Sequence, residues 1–180
     1  REGFLVLNAD VLFHGQLLGD LVTARHEGAL LVAFRGQLAS AMGEEEMKVR
    51  VRAGKVTNIT KSMDPGKADG ENVGIAKFGP TGTRLLLQKI DSLIARGSHR
   101  EWAPRAFLEF SYERPLYVVG TRGFPWIEID FPEDYVRAVD EVLPMIMLDE
   151  EFGFERRDAI RLHGDLDRLG ARFASVSAQG

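Results

Sequence analysis

Two acidic strand ends, far apart in the sequence, carry the residues best suited to chemistry. The apolar run 4–7 leads into Asp10, and a second run that begins at Trp126 carries Glu128 and Asp130. In an open α/β sheet, acidic residues at the ends of strands commonly bind ligands, and carboxylate oxygens suit hard cations such as Mg²⁺. An aspartate after a strand is also a common turn or helix-capping residue. The two ends together favour a shared cation.

The elements that must position these residues follow from the apolar spacing. Strands are predicted at 4–7, 29–34, 47–51, 56–61, 73–78, 116–119 and 126–130. Helices are predicted around 17–22, closing at Gly28, then at 83–96 with Gly97 as the stop, at 103–110, from 133 with a break or kink at Pro144, and at 155–174. The alternation of strands and helices predicts an α/β fold with a mostly parallel sheet. The pair 47–51 and 56–61 is expected to form a hairpin with one solvated face.

Composition narrows the class of protein. The chain has 180 residues, 44% of them hydrophobic, which suits one domain. A formal net charge of -4 argues against general nucleic-acid binding, which requires a basic face. The absence of cysteine excludes thiolate chemistry and is compatible with a cytoplasmic location, which we expect. No apolar run approaches the roughly 20 residues of a membrane span, so no membrane partner is expected.

Four segments of the sequence carry a resemblance to a known family. They are Asn8-Ala9-Asp10-Val11, Gly43-Glu44-Glu45-Glu46-Met47-Lys48-Val49, Ile59-Thr60-Lys61 with Gly70-Glu71-Asn72-Val73-Gly74-Ile75, and Trp126-Ile127-Glu128-Ile129-Asp130 with Pro132-Glu133-Asp134. In order and content they resemble nucleotidyltransferases that make CDP-choline from phosphocholine, within the larger sugar-phosphate nucleotidyltransferase family. The resemblance covers most of residues 4–140. It implies a Rossmann-like, three-layer α/β fold with a mixed, mostly parallel sheet, divided into a catalytic portion, 1–143, and a helical extension, 144–180.

The resemblance also implies a metal site and a catalytic lysine. Asp10, together with Glu128 or Asp130, is expected to bind Mg²⁺; alternation along a strand would place both later carboxylates on one face. Lys61 resembles the family lysine that contacts substrate phosphate. Lys48 is a weaker candidate for the same contact, because the alternating basic residues of its hairpin are also typical of a solvated face.

Substrate contacts follow from the same resemblance. Glu71 and Asn72 open the strand that lines the acceptor pocket in the family, and Glu71 is assigned to the acceptor head group. A choline-type acceptor favours an aromatic face, for which Trp126 is one candidate, although packing is the ordinary role of such a residue. The other aromatic candidates are Tyr112, Tyr117 and Phe124.

The implied reaction transfers a nucleoside monophosphate, CMP from CTP first of all, to phosphocholine or another small phosphorylated or phosphonate acceptor, with Mg²⁺, and releases pyrophosphate. Two alternatives stay open. One is a glycosyltransferase of related architecture, against which the single carboxylate of Asn8-Ala9-Asp10 counts; the other is a non-catalytic domain of the same fold.

The family's glycine-rich nucleotide loop is not found, and Gly120-Thr121-Arg122-Gly123 does not replace it. The loop is therefore expected upstream of Arg1, and the chain alone is expected to be an incomplete and inactive fold.

The apolar run 143–148 would suit a homo-oligomer interface if it were exposed, although buried helix packing is its more ordinary explanation.

Overall fold

A computed structural model of the chain describes residues 2–38 and 42–152, in which strands and helices alternate. The strands are β1 (Phe4–Leu7), β2 (Val11–Phe13), β3 (Gly28–Phe34), β4 (Lys48–Arg52), β5 (Lys55–Thr60), β6 (Gly70–Phe78), β7 (Tyr117–Gly120) and β8 (Trp126–Glu128). The helices are α1 (Gly15–Thr23), α2 (Pro80–Ala95), α3 (Ala103–Glu113), α4 (Pro132–Arg137) and α5 (Leu143–Phe152). The helix predicted at 155–174 lies outside the described residues.

Six strands form one mixed sheet in the order β1-β6-β3-β7-β5-β4, and β4 also pairs with β6. The α/β class and the mixed sheet are confirmed. The expectation of mostly parallel pairing is not: among the described strands only β3 and β7 pair in parallel. The physical reason lies in the connections. The hairpin between β4 and β5 turns within two residues, Ala53 and Gly54, and so tight a link permits only antiparallel pairing.

Strand β3 shows how the layers are built. Its side chains alternate between two buried clusters: Leu30 and Val32 belong with α2 and α3, whereas Leu31 belongs with α1. A strand covered on both faces must be apolar throughout, which explains the unbroken run at this position. Gly28 begins this strand and does not close α1, which ends at Thr23, so that part of the prediction was wrong.

A small second sheet carries the late acidic strand. Strand β2, which the sequence patterns did not reveal, pairs antiparallel with β8. Ile127 of β8 packs against the helical stretch that follows, in a cluster with Val142 and Ile146 of that stretch. That stretch stays helical from α4 to α5 through a π-helical turn at Ala138–Val142, so Pro144 is accommodated in the first turn of α5 without a break. In the described part of the chain, no helix combines the length and apolar character that crossing a membrane requires.

Candidate functional site

Three carboxylates from the two predicted strand ends meet in space. Asp10 lies in the turn between β1 and β2, and pairing of β2 with β8 places Val11 opposite Glu128. The backbone carbonyl of Asp10 accepts a hydrogen bond from the Ile129 amide at 2.8 Å, which fixes the two chain segments side by side. As a result, one ligand oxygen from each of Asp10, Glu128 and Asp130 lies within 4.8 Å of the others. The predicted convergence of these residues is therefore present in the structure.

The electrostatics of this cluster favour a cation. Burial raises the pKa of Glu128, and the negative charges of Asp130 and Asp10 raise it further. A hydrogen bond from the Asn8 amide, at 3.2 Å, and the positive charge of Lys61 oppose this rise. Three converging carboxylates repel one another unless a cation or a proton neutralises them, and an all-oxygen donor set fits Mg²⁺. The residues present therefore fit the metal that the resemblance implies.

Asn8 and Gly74 support the cluster, and neither had been assigned a role. The backbone N–H of Asn8 donates to the backbone carbonyl of Gly74 at 2.9 Å. Gly74 has a φ of 81°, and a Cβ there would lie 2.7 Å from the Asn8 side-chain carbon Cγ. Only glycine leaves room for Asn8 to reach Glu128. A glycine inside an apolar strand pattern is a known signal of close approach, and could have drawn attention to this position.

A cavity of about 340 Å³ adjoins the carboxylate cluster, and we call it the Glu71 cavity. Glu71, Glu128 and Trp126 all line it, which brings three predicted site residues together. Burial raises the pKa of Glu71 to about 7; the charges of Glu46 and Glu128 add to the rise, and the charge of Lys48 opposes it. Glu71 therefore titrates close to neutral pH, which is unusual for a carboxylate and typical of functional sites.

Two other predicted substrate contacts lie inside the protein. Asn72 is buried, and its side-chain Oδ1 accepts a hydrogen bond from the Gly74 amide at 3.1 Å. Lys48 is 0% exposed, and its ammonium donates to the backbone carbonyls of Glu44, Glu46 and Lys61 at 3.0, 3.2 and 2.8 Å. An ammonium has three N–H donors, so in this arrangement none is left for a substrate phosphate. The expectation of a solvated face at Lys48 was wrong, because this residue pairs with β5 on one side and β6 on the other.

Lys61 lies within electrostatic reach of Glu128, and its ammonium has a neighbour on each of two sides. It forms an ion pair with Glu45 at 3.3 Å and lies 4.8 Å from the ring centroid of Trp102. Trp102, which is 61% exposed, was not assigned a role from the sequence, because it stands in a loop between two helices. The charge of Lys61 reaches Glu128, so the lysine belongs to the electrostatic environment of the carboxylate cluster.

The remaining aromatic candidates divide between packing and exposure. Tyr117 stacks on His26 with ring centroids 3.5 Å apart, and Phe124 stacks on His14 at 4.8 Å. Tyr112 is exposed. Phe124 also lines the Glu71 cavity, together with Trp126.

Comparison with known proteins supports the fold. No family model matches the sequence. Among solved structures, the inositol-1-phosphate CTP transferase from T. maritima has 21% identity and a TM-score of 0.58, over 81% of this chain and 56% of that one. The CTP:phosphocholine cytidylyltransferase from Streptococcus pneumoniae has 20% identity and a TM-score of 0.58, over 77% of this chain and 57% of that one. The chain thus has a nucleotidyltransferase fold and spans little more than half the length of these structures.

Proposed function

We propose that this chain supplies the metal-binding and acceptor-binding part of a nucleotidyltransferase that transfers a nucleoside monophosphate, CMP from CTP first, to a small phosphorylated or phosphonate acceptor. The observation that carries the proposal is the convergence of Asp10, Glu128 and Asp130 beside a cavity lined by Glu71. The fold of the two CTP-using enzymes agrees with it. The division into a catalytic portion, 1–143, and an extension, 144–180, belongs to the same proposal.

The reaction asks little of side-chain bases. An oxygen of the acceptor phosphate or phosphonate attacks the α-phosphorus of the nucleotide, a new P–O bond forms, and the bond to the β-phosphate oxygen breaks to release pyrophosphate. The attacking group is already largely ionised near neutral pH, because its second pKa is about 6. The protein must therefore align two polyanions and neutralise their charge.

The residues of this chain divide that work between them. Asp10, Glu128 and Asp130 would bind Mg²⁺, which supplies charge neutralisation on the phosphates when it is bound. Lys61 lies within electrostatic reach of Glu128 and carries its ammonium at the end of a flexible four-carbon stem, so it is the side chain assigned to the acceptor phosphate. Its present partner, Glu45, is exposed, and such an ion pair is worth only about 0–1 kcal/mol. A phosphate can therefore displace Glu45 at little cost.

The charge around the Glu71 cavity favours a cationic acceptor head group. Among the charged side chains that line it in the described part of the chain, four are acidic and one is basic: Glu46, Glu71, Glu128, Glu141 and Arg137. Trp126 and Phe124 add aromatic side chains to the lining, and a quaternary ammonium is recognised by aromatic rings backed by carboxylates. Phosphocholine fits these features better than inositol phosphate or a sugar phosphate, whose head groups carry no positive charge. The cavity volume falls at the lower end of the range of small-molecule sites, about 300–1,000 Å³.

The experiment that tests the proposal is pyrophosphate release by the full-length protein with Mg²⁺. Four nucleoside triphosphates are each combined with phosphocholine, 2-aminoethylphosphonate, inositol 1-phosphate and glucose 1-phosphate. We expect turnover with CTP and the cationic acceptors. UDP-glucose and CDP-glucose serve as donors in parallel reactions without a triphosphate. Release of free nucleoside diphosphate from them, without pyrophosphate release from the triphosphates, would support the glycosyltransferase alternative.

Two variants make the result specific to the site. Asp10→Asn keeps the size of the side chain and removes one ligand charge, and we expect it to abolish turnover. Asp91→Asn removes the same charge from an exposed position of α2 and should leave turnover unchanged. Silence across the panel from folded, full-length wild-type protein would favour a non-catalytic domain.

A further inference from the structure

Lys48 has an environment that neither solvation nor substrate binding explains. Its side chain is fully buried, and its ammonium is surrounded by three backbone carbonyls. Burying a charge is costly unless it is well hydrogen-bonded, and here three carbonyl oxygens supply the hydrogen bonds. The locations of these carbonyls show which segments the ammonium holds together.

The three carbonyls belong to two segments of the proposed site. Glu44 and Glu46 flank Glu45 in the stretch 43–46, which we call the acidic loop, and the third carbonyl is that of Lys61. The Lys61 side chain returns across the same gap to the Glu45 carboxylate. Two lysines therefore link the same two segments, Lys48 through buried backbone oxygens and Lys61 through an exposed ion pair.

Each segment delivers a side chain to the site. Glu46 of the acidic loop lines the Glu71 cavity, and the charge of Lys61, the proposed phosphate-binding residue, reaches Glu128 of the same cavity. Lys48 also lies opposite Glu71 in the pairing of β4 with β6. The Lys48 ammonium therefore donates to the backbone oxygens of Glu46 and Lys61, and its charge also acts on Glu71. In this arrangement all three of its N–H groups donate to backbone oxygens.

We propose that Lys48 is a positioning residue, whose buried ammonium fixes the acidic loop and Lys61 relative to each other so that the cavity wall and the phosphate-binding lysine keep one geometry. The proposal rests on the proposed function for the role of Lys61. It replaces the expectation that Lys48 itself contacts phosphate.

The first test compares Lys48→Met with Arg50→Met in the full-length protein. Methionine keeps the stem length and loses all donors, and Arg50 is an exposed cation two residues along the same strand. For Lys48→Met we expect kcat to fall by about a hundredfold, the cost of roughly 1 Å of misplacement in an active site. Amide hydrogen exchange in the acidic loop should accelerate in the same variant. Arg50→Met should change neither quantity.

A conservative variant separates positioning from phosphate contact. Lys48→Arg keeps the charge, but a planar guanidinium does not fit a compact cage of three carbonyls, so we expect it not to restore kcat. Restored activity in Lys48→Arg would overturn the proposal, because it would show that the position requires only a positive charge and not an ammonium that fits the cage of three carbonyls. An increase in KM alone in Lys48→Met, with unchanged exchange in the acidic loop, would overturn it as well.

A second measurement needs neither a folded variant nor turnover. Reductive methylation of native wild-type protein, followed by mass spectrometry, reports how accessible each lysine is. We expect Lys48 to remain unmodified under conditions that label Lys55, which stands beside the exposed hairpin turn. Labelling of Lys48 that CTP or phosphocholine prevents would contradict the proposal. Inactive wild-type protein with a protected Lys48 would refute the proposed function and leave the packing role of Lys48 intact.

Discussion

Replacing Glu71 by glutamine should stabilise the protein at alkaline pH and have little effect at acidic pH. Burial and the nearby charges of Glu46 and Glu128 raise the pKa of Glu71 from 4.5 to about 7 in the folded chain. Between these two values the folded state keeps a proton that the unfolded state has lost. The free energy of unfolding therefore falls as pH rises through this window and levels off above about pH 7. The full difference corresponds to roughly 3 kcal/mol, since each pH unit is worth about 1.4 kcal/mol.

Glu71→Gln removes this titration and preserves the size of the side chain. We expect the variant to match the wild type near pH 4.5 and to exceed its free energy of unfolding by up to about 3 kcal/mol at pH 8. Urea unfolding at both pH values, with equal m-values, measures the difference. Asp91→Asn serves as the control for loss of one negative charge.

If Glu71→Gln raised the free energy of unfolding equally at both pH values, or lowered it at pH 8, the raised pKa of Glu71 would be refuted as the cause. A gain that appears only at high pH would show that the ionised carboxylate is held at a cost to folding. Such a cost is expected of a residue kept for binding a cation. We therefore expect the gain in stability of Glu71→Gln to be accompanied by weaker binding of phosphocholine.

Three further predictions concern the rest of the site. Asp10→Asn should reduce Mn²⁺ binding, measured by electron paramagnetic resonance, at least tenfold without lowering the thermal midpoint; unchanged binding would remove Asp10 from the metal site. Lys61→Met should reduce kcat by about a hundredfold or more, as expected for loss of a charge that acts on transferring phosphate, whereas Lys55→Met should not. Gly74→Ala should destabilise the fold by at least about 1 kcal/mol, because alanine tolerates a positive φ poorly and its Cβ would meet Asn8; an unchanged urea midpoint would contradict this.

Residues with a strong local signal were predictable from the sequence. The apolar run of β3 and the spacing of α2 specify their elements directly, because burial fixes their periodicity. The acidic cluster was also predictable, since its residues follow strands whose ends could be recognised. The nucleotidyltransferase fold followed from the resemblance in segment order, and the solved structures confirm it.

Features that depend on long-range pairing were not predictable. Strand β2 has three residues and forms only because β8 pairs with it from more than a hundred residues away. The burial of Lys48 arises because β4 is flanked by β5 and β6 at this residue, and alternation along a single strand does not contain that information. The position of Trp102 over Lys61 depends in the same way on how α3 packs on β5.

The most direct test of the central claim follows the oxygen atoms of the transferred group. Phosphocholine labelled with ¹⁸O in its phosphate is incubated with CTP, Mg²⁺ and the full-length protein, and the products are analysed by ³¹P nuclear magnetic resonance. We expect one ¹⁸O in the bridge of the new diphosphate and none in the released pyrophosphate. Label in the pyrophosphate, or a diphosphate whose bridge lacks ¹⁸O, would contradict attack by the acceptor phosphate on the α-phosphorus.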